Sequence, residues 1–153
     1  MYGIVLNVHS WMRWVVIATC LWSLLRSAMA GQRPWTPADA RASRIFVLSL
    51  DVQFLLGLLL YFVLSPFTRQ AMSDFGGAMK NTGLRFFAVE HVVGMLIAMT
   101  LAHVGAARIK KVAPERRHRI AAIFFVLALL ALLASIPWPG LPAGRPLFRL
   151  GQG

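Results

Sequence analysis

Acidic residues are scarce in this chain, with 5 Asp and Glu against 16 Lys and Arg in 153 residues, and charged residues of either sign make up only 14%. A soluble globular domain carries about a quarter charged residues. With 58% hydrophobic residues and a mean hydropathy of +0.66, the composition excludes an ordinary water-soluble enzyme. Cysteine is nearly absent too: Cys20 stands alone inside an apolar run. No disulfide framework and no multi-cysteine metal or iron–sulfur centre can be built within the chain. Also missing are a nucleophilic triad, a glycine-rich phosphate loop and an HExxH zinc motif. The net charge of +11 raises the question of nucleic acid, but its basic residues fall between long apolar stretches rather than on a polar surface, so no nucleic-acid partner is expected.

What the sequence has in abundance is long apolar runs. Four reach the length needed to cross a hydrocarbon core of roughly 30 Å, at about 4–25, 45–64, 84–109 and 120–136. The expected fold is therefore an all-α integral-membrane four-helix bundle, a single transmembrane domain over 1–153. The third run contains Glu90, His91 and His103 but no proline, so one helix is expected; the fourth must end at Pro137 and Pro139. Ala28-Met29-Ala30 resembles a signal-peptidase site, and 17–20 loosely a lipobox. The first basic residue, Arg13, lies inside the apolar run rather than ahead of it, so cleavage is not expected.

Orientation follows from the basic residues of the connections. Arg26, Arg33, Arg41 and Arg44 lie between runs one and two, and Arg108, Lys110, Lys111, Arg116, Arg117 and Arg119 between three and four. The other side holds five: Arg69, Lys80, Arg85, Arg145 and Arg149. Both termini are expected on the periplasmic side of a bacterial inner membrane. The 116–119 cluster is read as a contact with anionic membrane lipids.

Ionisable residues inside a membrane are costly and are functional candidates by default. Here they are His9, Arg13, Asp51, Glu90, His91 and His103. His9 lies seven residues past Tyr2 and His91 seven past Leu84, each about 10 Å below the outer boundary at 1.5 Å per residue. Two imidazoles at one level on different helices are what bis-histidine ligation of haem iron requires. Their alternative role is interhelical hydrogen bonding. Arg13 shares a helical face with His9; it is expected either to pair with Glu90 or, like Arg85, to hold a haem propionate in a bidentate fork. Asp51 and His103 share an inner level as a hydrogen-bonded pair or, with His103 alone, a weaker second cofactor position. On the third run, His91, Met95, Met99 and His103 form a four-spaced ridge beside a small-residue stripe, Gly94, Ala98, Ala102 and Ala106. The stripe suits helix packing better than a cofactor slot. Trp11, Trp14, Trp35 and Trp138 are expected in an aromatic belt.

Several stretches resemble a family of small four-helix bacterial membrane proteins commonly labelled "cytochrome b". They are 8–14 (VHSWMRW), 53–62 (QFLLGLLLYF), 77–80 (GAMK), 84–91 (LRFFAVEH) and 136–138 (IPW), in that order over nearly the whole chain. The resemblance implies haem b between His9 and His91. In that family a histidine often stands two positions before the span-two Gln; Asp51 stands there in this chain, so one haem is expected rather than two. The leading expectation is a b-type cytochrome-like electron-transfer subunit working with quinol or quinone and with other subunits of a membrane complex, rather than a stand-alone enzyme. The rival expectations are a haem-free accessory subunit of a respiratory or photosynthetic complex and, behind it, a proton or metal-ion transporter using Asp51, Glu90 and the histidines.

Overall fold

The computed structural model describes residues 1–148, so Arg149, one of the five basic residues assigned to the outer side, lies outside the described residues. Every regular element among the described residues is helical, and none is a strand. Helix α1 covers Tyr2–Ala28; α2 covers Pro37–Leu59 and widens into a π-turn at Leu60–Leu64. Three short helices follow: α3 (Pro66–Ser73), α4 (Phe75–Lys80) and α5 (Thr82–Arg85). A second π-turn, Phe86–Glu90, leads into α6 (His91–Lys111), and a 3-10 turn at Pro114–Arg116 into α7 (Arg117–Ala134).

Four helical stretches are long and apolar enough to cross a membrane: Tyr2–Ala28, Pro37–Leu64, Thr82–Lys111 and Pro114–Ala134. The four-helix membrane bundle is thus present, with longer helices than hydropathy alone marked out. Capping explains the largest extension. Thr36 accepts from the Asp39 backbone N–H while the Asp39 carboxylate accepts from that of Thr36, and Pro37 occupies the first turn, so helix α2 starts eight residues before its apolar run. Ser65, Asp74 and Asn81 cap α3, α4 and α5, each side chain accepting from the backbone N–H three residues on. What the sequence presented as a polar middle loop is a folded cap over one end of the bundle.

The core is made where small residues let helices approach. Ala98 and Ala102 on α6 are fully buried, as are Ala121, Phe125 and Ala128 on α7. A Cβ placed on Gly105 would lie 2.5 Å from the Phe124 Cβ. The stripe on α6 is therefore packed against α7, the helix-packing role rather than the cofactor slot. Cys20, Phe46 and Leu50 continue the core between α1 and α2.

At the α1–α2 connection, Asp39 is 1% exposed and bonds Arg26 at 2.9 Å and Arg33 at 2.7 Å. Its hydrogen bonds to Arg33 push that guanidinium above its ordinary pKa. His118, from the basic 116–119 cluster, is buried here rather than facing lipid: it packs on Trp35 at 4.9 Å and comes within 4.0 Å of Asp39. This contact joins the two basic connections at one end of the bundle. After α7 the chain folds back over the other end, where the Leu147 carbonyl accepts from Arg13 at 2.6 Å and from the Trp14 indole at 3.2 Å.

Candidate functional site

A cavity of about 280 Å³ opens between α1, α2 and α6 near the end where α1 begins and α7 finishes. Its walls are mostly apolar, with Val16, Leu50, Phe54, Met95 and Leu132 among them. Into this lining come six polar side chains of interest: His9, Arg13, Gln53, Tyr61, His91 and Arg145. His9 and His91, paired by depth in the sequence, are brought together edge to face, with ring centroids 6.3 Å apart and planes at 74°.

Each histidine is held from behind. Helix α7 ends at Ala134, and the residue four past Ser135 is Pro139, which has no N–H, so the Ser135 carbonyl is left with an open acceptor. His91 Nδ1–H donates to it at 2.7 Å. That bond leaves the ring's lone pair on Nε2. Gly94 makes the arrangement possible: a Cβ there would sit 1.8 Å from Ser135 Oγ. Phe86 and Phe87, in the π-turn just before it, flank the His91 ring at 5.9 and 6.4 Å. On the opposite wall the Gln53 amide nitrogen lies 3.4 Å from His9 Nε2. Gly57 again supplies room, since a Cβ on it would lie 3.3 Å from His9 Cε1. His9 Nδ1 and Gln53 Oε1 are buried with no hydrogen-bond partner among the described residues. The site therefore retains unmet polar capacity.

Of the two arginines read as propionate holders, Arg13 lines the cavity and Arg85 does not. Arg85 forms a half-exposed ion pair with Glu90 at 2.6 Å across the π-turn, so Glu90 is taken by a neighbour on its own helix and not by Arg13 as the shared depth suggested. The second cavity arginine is Arg145, which lies 4.7 Å over the Phe67 ring and 5.1 Å over that of Phe87. Sequence reading had counted it only as a tail charge. Nothing in the sequence marks Tyr61, whose hydroxyl donates to the Ala88 carbonyl inside the π-turn at 2.9 Å. On the ridge, Met95 reaches the cavity and Met99 packs on the core, while His103 faces Asp51 at 3.2 Å.

The chemistry of this donor set is specific in number. Among the described residues no three His, Cys, Asp or Glu side chains come together around a metal position. A metal at His9 and His91 would take two protein ligands and draw the others from its own prosthetic group. Two imidazoles sharing one metal ion, each nitrogen about 2 Å from it, place their ring centroids roughly 6 Å apart, and the observed separation is 6.3 Å. In spacing, the two imidazoles fit a metal ion shared between them, such as an iron porphyrin would supply. No protein-family model, no curated protein and no solved structure matches the chain.

Proposed function

We propose that this chain is a b-type cytochrome-like electron-transfer subunit of a bacterial inner membrane, binding haem b between His9 on α1 and His91 on α6 near the outer leaflet. The observation that carries the reading is the facing pair of imidazoles, 6.3 Å apart in an apolar cavity. When bound, the iron porphyrin supplies one-electron redox chemistry. The chain's own residues do the rest. The Ser135 carbonyl fixes the His91 tautomer and so presents Nε2 as ligand, which is the usual role of a ligand's outer hydrogen bond. Gln53 orients His9. Arg13 and Arg145 offer guanidinium groups to the propionate carboxylates. The apolar walls exclude water and so help set the potential. Quinol or quinone is the candidate redox partner, with lipids and other subunits of a membrane complex around the bundle. The sequence resemblance to small "cytochrome b" proteins points the same way.

The test is a reduced-minus-oxidised absorption spectrum of detergent-purified protein, with pyridine haemochrome quantification and the variants His9→Ala and His91→Ala. A b-type signal near one haem per chain, lost in both variants while α-helical circular dichroism persists, supports the reading. Folded, haem-free protein from haem-replete cells would overturn it in favour of the accessory subunit.

A further inference from the structure

Helix α1 begins at Tyr2 and Arg26 lies 24 residues on, roughly 36 Å along the axis. A hydrocarbon core is roughly 30 Å thick, so in a membrane Arg26 comes out at the level of the lipid headgroups. There it borders an open groove, separate from the His9–His91 cavity. The walls are Trp22, Leu25, Arg26 and Met29 on α1, with Arg33 and Thr36 from the connection to α2. The apolar members face outward: Trp22, Leu25 and Met29 are 42%, 53% and 82% exposed.

The groove carries a positive charge that the protein does not balance. Arg26 and Arg33 share one carboxylate, Asp39, at 2.9 and 2.7 Å, so two guanidiniums meet a single negative charge. Asp39 is buried behind them, its oxygens taken up by the arginines and by Thr36. Its other charged neighbour, His118 at 4.0 Å, brings no negative charge. Arg26 reaches Asp39 through Nε, and with its side chain 31% exposed the two η nitrogens are left to donate into the groove. Open carbonyls at a helix C-terminus disfavour an anion, but here they already accept: Leu25 from the Met29 N–H, Ser27 from that of Ala30, and Arg26 from Arg33 Nη2.

A ligand complementary to this groove brings one negative charge on oxygens at headgroup level and an apolar tail. A phosphodiester is singly charged, and guanidinium N–H groups match its oxygens in a fork. From Leu25 the exposed face of α1 continues through Trp22 and Ala18 to Val15, a strip about 15 Å long on which an acyl chain can lie. We propose that the groove is a binding site for an anionic phospholipid of the phosphatidylglycerol class, its phosphate on Arg26 and Arg33 and one acyl chain on Leu25 and Trp22. A zwitterionic headgroup is disfavoured, because its own cation would enter an end of the bundle whose connections hold ten basic residues. None of the walls comes from the 116–119 cluster, and binding here needs no haem.

The test is native mass spectrometry of the full chain, purified in a mild detergent and titrated with phosphatidylglycerol or with phosphatidylcholine of the same acyl chains. One phosphatidylglycerol is expected to stay bound per chain, more tightly than phosphatidylcholine. Losing hydrogen bonds to a charged partner predicts retention roughly tenfold weaker in Arg26→Gln. Arg44→Gln removes the same charge from an exposed position outside the groove, and retention is expected to stay at the parent level. Should Arg26→Gln fail to fold, Met29→Glu leaves the Asp39 contacts intact, sets a carboxylate in the groove and is expected to expel the lipid. Retention is expected to survive His9→Ala, so this site and the haem reading fail separately. Equal retention of the two lipids, equal loss in Arg44→Gln and Arg26→Gln, full retention in folded Arg26→Gln or Met29→Glu, or displacement by inorganic phosphate would each overturn the assignment.

Discussion

At Gly94 a single methyl group would act on His91 at second hand. The added Cβ would lie 1.8 Å from Ser135 Oγ and 2.9 Å from Ser135 Cβ, so α6 and α7 would have to part at the residue whose carbonyl holds His91. Overpacking of this kind costs about 1–3 kcal/mol. Gly94→Ala is expected to lower the melting temperature in detergent and to weaken haem retention together. Ser135→Ala keeps the carbonyl and removes the nearest clashing atom, so the double variant should recover much of the loss in a double-mutant cycle. Additive losses would mean that the contact is not what Gly94 protects. A milder effect is expected at Gly57→Ala, 3.3 Å from His9 Cε1: stability within about 0.5 kcal/mol of the parent by melting, with a shifted haem midpoint potential because the ring is tilted. His9, His91 and Arg13 were legible in the sequence because depth along a helix is simple arithmetic. Ser135 and Gln53 were not, since each meets its histidine across 44 residues of chain, and nothing local marks a carbonyl as a ligand's support. The Arg85–Glu90 pair was missed for a related reason: its spacing of five meets only because the turn between is widened to a π-turn.

Among the elements, α2 owes its start to Asp39. The carboxylate closes the capping box and draws in Arg26 and Arg33, which are 31% and 37% exposed. Solvent therefore screens the ion pairs, and the cap contributes as much as the charges do. Asp39→Ala is expected to cost about 1–3 kcal/mol in thermal unfolding. The haem spectrum should stay unchanged, because Asp39 opens the helix that presents Gln53 and Gly57 to His9 only near its far end. A variant that melted normally would show that the arginines find equivalent partners. The signal for this helix start was in the sequence as Thr36-Pro37-Ala38-Asp39, but hydropathy placed the boundary at Ile45, where apolar residues become continuous. Helices α3, α4 and α5 span eight, six and four residues. Such lengths complete too few turns for a periodic pattern, so their existence could be read only from capping residues, and their packing over the cavity not at all.

For the whole molecule, the arrangement of charge and the arrangement of helices meet at one point. The connections carrying ten of the basic residues are joined through Trp35, Asp39 and His118 at one end of the bundle, and the positive-inside tendency leads us to expect that end in the cytoplasm. Cys20 is fully buried, which leaves the native chain a silent background for thiol labelling. Gln32 and Ser73 are both exposed, one in each kind of connection. In spheroplasts, Ser73→Cys is expected to react with a membrane-impermeant maleimide and Gln32→Cys to react only after lysis. The reverse pattern would turn the bundle over and move the His9–His91 cavity from the outer leaflet to the cytoplasmic one. Either way the cavity and the Asp51–His103 pair stay on different sides of α2: Gln53 beside His9 and Asp51 beside His103 are two residues apart on it, and positions two apart on a helix do not share a face. One face of α2 is thereby turned into the bundle and the other away from it, a division that the orientation experiment leaves untouched.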